Sequence, residues 1–293
     1  MKVISIFGGT GFIGTELIKQ LIKTPVKIRV FTRNKEKLNI LKLNPKLKLI
    51  KLSSESNLTS DLKETDIIIN LVGILHESRS IKFSIAHEDF VTKIINSAMK
   101  LKIKRVIHIS ALGVSKAASS RYLYSKYKSE SIIRNKFKGQ EWTIFRPSIV
   151  FGPHDKFINL FKGMVKFLPV IFLISPKAEF QPIHVDDLVD IVIKSIGDKK
   201  TYKKTFNIAG PKKFTFIQIV KLIIFCDKRK NIVIGLSKTF SYLFVRLLQL
   251  SPIKIITLDN LKSMETSNTV KINDSYRFKL SLKELSTYLT NYK

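Results

Sequence analysis

The sequence predicts an α/β chain: a doubly wound parallel sheet with a smaller, mostly helical C-terminal domain. Strand and helix signals alternate through the first half, and an apolar run at the N-terminus ends in glycines that open a helix. With 44% hydrophobic and 10% aromatic residues over 293 positions, the chain can bury a sizeable core, which excludes disorder.

The elements follow in order. "KVISIFGG" is a continuous apolar run, as a parallel strand buried on both faces requires. "GTELIKQLIK" places Leu17, Ile18, Leu21 and Ile22 at helical spacing. "VKIRVFTR" is a second strand, and "KLKLIKL" is a third whose alternation of lysine with leucine or isoleucine suits a sheet edge. "DIIINLVG" is a fourth, "RVIHISALG" a fifth after the helix "FVTKIINSAMKLKI", and "WTIFRPSIVFG" a sixth. After Gly152 the rhythm changes. Segment 153–179 is apolar and broken by proline, "FQPIHVDDLVDIVIKSI" reads as a short strand entering a helix, and "KTFNIAGP" as a return to the sheet. From 214 on, the pattern is mainly helical, including "FSYLFVRLLQL". The expected division is therefore 1–152 with 180–212 as the sheet domain, and 153–179 with 213–293 as the smaller one.

The glycines carry the first chemistry. Gly8, Gly11 and Gly14 are evenly spaced between a strand and a helix, the arrangement of a Rossmann dinucleotide loop. Gly8 permits the tight turn, Gly11 lets backbone approach a pyrophosphate, and Gly14 allows the helix to pack closely. Thr10, Phe12 and Ile13 complete the candidate cofactor contacts around the helix N-terminus, whose dipole favours an anion. An NAD site wants an acid at the end of the second strand for the ribose hydroxyls. This chain has Thr32 and Arg33 there, and a guanidinium can bind a 2′-phosphate in bidentate fashion, so NADP(H) is favoured over NAD(H). At the end of the fourth strand, Leu71 and Gly73 are expected to border the nicotinamide ribose.

The loop Gly8–Gly14, "NLVG", "HISALG", "RPSIVFGP" and "PIHVDDL" together resemble the atypical and extended short-chain dehydrogenase/reductases. Within that superfamily, "NLVGILHE", "HISALGV", "FQPIHVDDL" and "TLDNLKSMETSNTV" are similar to the nucleotide-binding accessory subunit of respiratory complex I and its bacterial relatives. The resemblance implies tightly held NADPH, little or no turnover, and a structural or assembly role beside a quinone-linked respiratory complex. It also implies that "PIHVDDL" pins the two domains together. By the residues alone, Asp186 and Asp187 suit capping at a helix start.

The stretch "SSRYLYSKYKSE" holds two tyrosine–lysine pairs at helical i,i+4 spacing, Tyr122 with Lys126 and Tyr124 with Lys128, pointing about 200° apart. The superfamily pattern fits Tyr122, Ser125, Lys126 and Glu130. A tyrosine whose pKa is lowered by a nearby ammonium can exchange a proton with a carbonyl oxygen, and the lysine can also hold ribose hydroxyls. Ser110, with Ser115 less well placed, is the candidate that would polarise a substrate oxygen. Ala111 and Leu112 follow Ser110, and only 11 residues separate it from Tyr122, so the cofactor-holding half of the site is better provided than the substrate half. Two functions stand: a cofactor-holding accessory protein, or an NADPH-dependent reductase, dehydratase or epimerase acting on a small carbonyl or nucleotide-sugar.

The charge bounds the partners. There are 52 basic residues against 22 acidic, a net +30, without any block of five basic residues in a row. Lysines spread evenly among isoleucine and asparagine favour compositional drift over an anionic partner such as nucleic acid, acidic lipid or a phosphorylated ligand. The apolar, lysine-flanked segments 157–174 and 239–256 are candidates for a partner or membrane surface, or for the core of the second domain. No run reaches the roughly 20 apolar residues of a transmembrane helix, and the apolar stretch Val3–Phe7 is too short for a signal peptide. The single cysteine, Cys226, suits a reducing compartment. The expected setting is cytoplasmic, with peripheral placement at the inner face of a membrane as an open alternative. The five histidines show no metal-ligand spacing, so no metal is expected.

Overall fold

The computed structural model describes residues 1–34, 44–53, 57–78, 81–249 and 256–291. Strand β1 (Lys2–Phe7) leads through the glycine loop into helix α1 (Phe12–Leu21), followed by β2 (Val26–Thr32), β3 (Leu47–Lys51), the short α2 (Leu58–Asp61) and β4 (Ile67–Asn70). Then come α3 (Phe90–Lys100), β5 (Arg105–Ile109), α4 (Arg121–Lys136) and β6 (Glu141–Pro147). Further along lie β7 (Val150–Phe151), α5 (Phe157–Phe167), β8 (Val170–Leu173), β9 (Glu179–Phe180), β10 (Ile183–His184), α6 (Val185–Ser195) and β11 (Lys204–Ile208). The chain ends through β12 (Phe214–Thr215), α7 (Phe216–Cys226), β13 (Ile232–Gly235), α8 (Lys238–Leu248), α9 (Leu258–Met264) and α10 (Leu285–Asn291).

Seven strands form one sheet in the order β11-β6-β5-β4-β1-β2-β3. The pairs β1·β2, β2·β3, β1·β4, β4·β5 and β5·β6 are all parallel. The fold is therefore the doubly wound α/β sheet that the glycine loop and the strand–helix alternation predict. β3 lies at an edge, as its lysine alternation requires, and β11 joins the opposite edge. The strand order reverses between β1 and β4, and in open α/β sheets ligands bind at the carboxyl ends of strands at such a switch point.

That switch point is unusually tight. Gly8 has φ +78°, and a side-chain carbon there would stand 2.9 Å from the Leu71 carbonyl carbon and 3.0 Å from Val72 N. On Gly14 it would meet the Gly8 oxygen and Gly9 Cα, each at 2.5 Å, so the first turn of α1 rests directly on loop backbone. Phe7, Phe31, Ile68, Val91, Ile94, Val106 and Ile144 pack in the core of this first unit.

The described chain divides into two compact units: Met1–Ser110, Ser125–Arg146 and Leu188–Phe206 in one, and Ala111–Tyr124, Pro147–Asp187 and Asn207–Lys293 in the other. Segments 111–124, 147–152, 180–187 and 207–212, which the sequence pattern groups with the sheet domain, thus cluster with the C-terminal unit. The reason is long-range capping. Ser148 Oγ donates to the Asn268 carbonyl at 2.9 Å, the Ala209 amide donates to Ser275 Oγ at 3.1 Å, and the Asn207 amide to Asp274 at 2.9 Å. Asp187 accepts from the Lys283 amide at 2.8 Å and Asp186 from Lys283 Nζ at 2.5 Å, so the acids of "PIHVDDL" fasten the C-terminal segment. The second unit has its own core, with Phe151, Phe161, Ile171, Phe180, Phe216 and Ile223 buried together. Among the described residues no helix is long and apolar enough to cross a membrane.

A methyl group at Gly14 has to displace main chain rather than a mobile side chain. Gly14→Ala is expected to cost about 1–3 kcal/mol or somewhat more, as overpacking against fixed backbone does. Thermal unfolding should show it as a fall in Tm, and an unchanged Tm would refute this account of the loop.

Candidate functional site

Four segments that meet at the carboxyl end of the sheet in the first unit contribute groups: the glycine loop, the end of β4, the end of β5, and α4 from Ser125 onward. At the loop, the Gly11 amide donates to the Gly8 carbonyl at 3.0 Å, and Gly11 caps α1 without any side-chain hydrogen bond. Phe12 and Ile13 open the helix, half-buried, and the first turn therefore keeps its amides for an anion. Thr10 Oγ1 lies 3.4 Å from Thr32 Oγ1, which links the loop to the end of β2. Arg33 follows at once and is exposed.

Lys126 is the centre of the arrangement. It is 3% exposed, and its ammonium donates to the Val72 carbonyl at 3.2 Å and the Ile109 carbonyl at 3.0 Å. Burial pulls its pKa down to about 8, against the opposing pull of the Glu130 carboxylate one turn along the helix. A side chain on Gly73 would stand 3.4 Å from that ammonium, so Gly73 leaves room where Lys126 faces the β4 end. Leu71 is half-buried beside it, its amide donating to the Phe7 carbonyl at 2.9 Å. Glu130 is fully buried, and it accepts from Arg134 at 2.7 Å and from Arg146 Nε at 2.8 Å and Nη2 at 2.6 Å. Arg146 is thus the carboxylate's bidentate partner.

Two of the five histidines, His87 and His108, stand in the same cluster. His87 lies on a π-helical turn, Ser84–Asp89, of the kind often found at functional sites. Its Nε2 accepts from the Ile74 amide at 3.1 Å, so the proton sits on Nδ1 and points to Ser125 Oγ at 2.8 Å. Burial, then the charge of Lys126, lowers its pKa to about 2. His108 has the opposite tautomer. Its Nδ1 accepts from Asn70 Nδ2 at 3.1 Å, while the Val72 amide fixes that side chain by donating to Asn70 Oδ1 at 3.1 Å. The His108 Nε2 proton then points to Ser129 Oγ at 3.3 Å, which donates to the Lys126 carbonyl at 2.8 Å. Burial, Lys126 and His87 all push His108 well below the usual histidine range. No periodicity announces these contacts, since they join residues 13 to 38 positions apart.

Ser110 Oγ, just past the end of β5, is buried and has no hydrogen-bond partner among the described residues. Its amide donates to the Phe145 carbonyl at 2.7 Å. Tyr122 opens α4 one helical turn before Lys126, and burial pushes its phenol up to about 12. Its helix start is capped from the second unit's own C-terminal segment: Asp259 accepts from the Arg121 amide at 2.6 Å, the Tyr122 amide at 3.0 Å and Ser120 Oγ at 3.0 Å. Tyr124, of the other pair, is exposed. Asp259 is a positioning residue that sequence reading noted only as part of "TLDNLK".

These residues fit a dinucleotide: a glycine cradle that a Cβ would fill, a helix start without a side-chain cap, and an orphaned buried hydroxyl beside them in the chain's β5 end. A family described as NAD(P)H-binding matches residues 8–156. The chain belongs to that NAD(P)H-binding family. Its cofactor class is a nicotinamide dinucleotide. This family member is 29% identical over 232 residues to "NADH dehydrogenase [ubiquinone] 1 alpha subcomplex subunit 9, mitochondrial" of Arabidopsis thaliana, covering 75% of this chain and 57% of the relative. The mouse protein of the same name is 28% identical over 229 residues, covering 75% and 60%. The chain thus spans about 57–60% of the length of these relatives. UDP-glucuronic acid 4-epimerase from Bacillus cereus, solved with UDP-glucuronic acid and NAD, superposes with a TM-score of 0.70 at 19% identity, over 91% of this chain and 98% of that one. At that identity the likeness concerns the fold.

Two outcomes test this geometry. Nitrogen-resolved NMR of the imidazoles should find His87 as the Nδ1–H tautomer and His108 as the Nε2–H tautomer, both still neutral at the pH where an ordinary histidine is half protonated. Either ring gaining a proton near pH 6 would contradict the network. Lys126, depressed from 10.5 to about 8, binds its proton less readily folded than unfolded, so its burial costs stability at neutral pH and less as pH rises from 8 to 10.5. Denaturant unfolding of the wild type should therefore gain on the order of 1–3 kcal/mol over that window relative to Lys126→Met. Parallel pH profiles would contradict it.

Proposed function

We propose that this chain holds NADP(H) as a structural cofactor and serves as an accessory or assembly subunit of a quinone-linked respiratory complex, with weak or no turnover. The observation that carries this reading is the state of the Tyr122–Lys126 pair. A phenol at about 12 keeps its proton across the physiological range, so it is poorly matched to general acid–base work. Lys126 is engaged by main-chain carbonyls at the β4 and β5 ends, where it is suited to holding a ribose. The names of the Arabidopsis and mouse relatives, which are subunits of NADH dehydrogenase [ubiquinone], point the same way.

In this reading Gly8, Thr10, Gly11, Phe12, Ile13 and Gly14 take the pyrophosphate and its ribose. Leu71, Gly73, Tyr122 and Lys126 border the nicotinamide ribose, and Arg33 reaches a 2′-phosphate. When bound, the nicotinamide supplies hydride chemistry. The chain's own part is to seat the dinucleotide on helix dipole and backbone amides and to keep an ammonium beside its ribose.

The second reading, an NADPH-dependent reductase, dehydratase or epimerase on a small carbonyl or nucleotide-sugar, is favoured by Ser110, whose buried unpartnered hydroxyl could polarise a substrate oxygen. Tyr122 and Lys126 would then supply the proton.

Exhaustive dialysis followed by denaturation separates the two. Near-equimolar NADPH released from the dialysed protein is expected. An empty site, together with turnover of a carbonyl substrate that Tyr122→Phe abolishes, would shift the assignment to the enzyme. Arg33→Ala should weaken NADPH about 10- to 100-fold and leave NADH nearly unchanged, the loss expected for one charge-assisted contact. Equal losses for both nucleotides would remove the 2′-phosphate assignment.

A further inference from the structure

The second unit carries an apolar face that its own core does not use. β8 and β13 pair in parallel with Val170 opposite Ile232 and Phe172 opposite Ile234. Side chains alternate across a strand, so one side of this ribbon buries Ile171 and Leu173 while the other turns Phe172, Ile232 and Ile234 outward. Phe172 meets Phe244 of α8 with ring centroids 6.0 Å apart, and α8 extends the face with Phe240, Leu243 and Leu247 at i, i+3 and i+7. Exposure is high for such residues: Phe167 is 76% accessible, Phe240 64% and Ile232 62%. Asn231 secures the ribbon by donating to the Val165 carbonyl at 2.8 Å and the Leu168 carbonyl at 2.5 Å, so the face is part of the fold.

Charge says what covers it. The stretches that build this face, 156–178 and 228–249, contain nine lysines and arginines and no aspartate or glutamate, and one of these cations, Lys238, pairs with Glu265 at 2.9 Å. A recess between the end of α5 and the turn after α7 is lined by Lys162, Lys166, Lys228 and Arg229, with Asp227 as its acid. It adjoins the apolar residues along the chain, because Phe167 follows Lys166 and Phe225, also exposed, precedes the turn. A second copy of this chain would bring like charges together across such a face. Dispersed aromatic and aliphatic side chains fringed by cations suit instead a fluid, anionic interface, which admits the apolar groups among its acyl chains while lysine and arginine remain with the phosphates.

We propose that this face, formed by α8 and the β8–β13 ribbon with its basic recess, seats the protein on an anionic phospholipid bilayer as a peripheral attachment. The inference does not depend on how the dinucleotide is used.

The test is co-sedimentation of the full chain with phosphatidylcholine vesicles, with and without phosphatidylglycerol. Wild type is expected to bind the anionic vesicles and to bind less as salt is raised. Phe240→Glu with Leu247→Glu should lower partitioning about tenfold or more. Lys23→Gln with Lys100→Gln, which removes equal net charge at exposed positions of the other unit, should leave it nearly unchanged. Tm and retained NADP(H), read on the same preparations, report folding and the dinucleotide site separately. The proposal is overturned if wild type ignores anionic vesicles, if both double variants lose binding equally, or if the protein forms a concentration-dependent dimer that Phe240→Glu with Leu247→Glu disperses.

Discussion

An ammonium group removed from water must find its ligands inside the protein, and Lys126 finds them in the carbonyls of Val72 and Ile109 at the ends of two sheet strands. Much of the surrounding chemistry is shaped by that one buried charge. Neighbouring imidazoles have to stay neutral beside it, and they do so in opposite tautomers, each locked by a backbone amide directly or through Asn70. A counter-charge has to lie close, and Glu130 supplies it one turn along the helix. That carboxylate in turn needs the two arginines to be tolerable in a dry interior. Remove any member and another is left with an unsatisfied buried group, which is the costly condition.

The same end of the sheet is shaped by close backbone approach. Because β1 and β4 adjoin where the strand order reverses, the glycine loop passes within side-chain distance of Leu71 and Val72. The loop residues and the carbonyl that holds Lys126 therefore belong to one rigid constellation. A ligand seated on the loop would meet neighbouring groups already held by the protein's own hydrogen bonds, and such preorganisation lowers the cost of binding.

Much of this was legible in the sequence, because it rests on local pattern. Three glycines between a strand and a helix have few other uses, and the alternation of apolar runs marks the parallel sheet down to the edge position of β3. The apportioning of 147–152 and 207–212 was not legible, since it depends on side chains of Asn268, Asn273 and Ser275 reaching backbone tens of residues away, and that of 111–124 on Asp259 reaching the start of α4. His87 and His108 were hidden for the same reason: their partners Ile74, Ser125, Asn70 and Ser129 are scattered, and a histidine in an apolar run looks the same whether or not it abuts a buried cation. Arg146 lies within the strand "WTIFRPSIVFG", and only the fold brings it to Glu130. Of segment 239–256, marked from sequence for its apolar and basic character, residues 250–255 lie outside the described residues, and α8 covers 239–248.

The cap on α4 has a consequence for the order in which the protein is made. Asp259 closes a hydrogen bond to Tyr122 across 137 residues of chain, whereas the Lys126 ammonium reaches Ile109 across only 17. As the chain leaves the ribosome from its N-terminus, the ligands of Lys126 are already available when α4 emerges, and the carboxylate that fixes the helix start has yet to be synthesised. The nucleotide end can therefore mature first, with the tyrosine's turn secured last. Closing so long a loop carries most of its entropic cost at the outset and little more for each added residue.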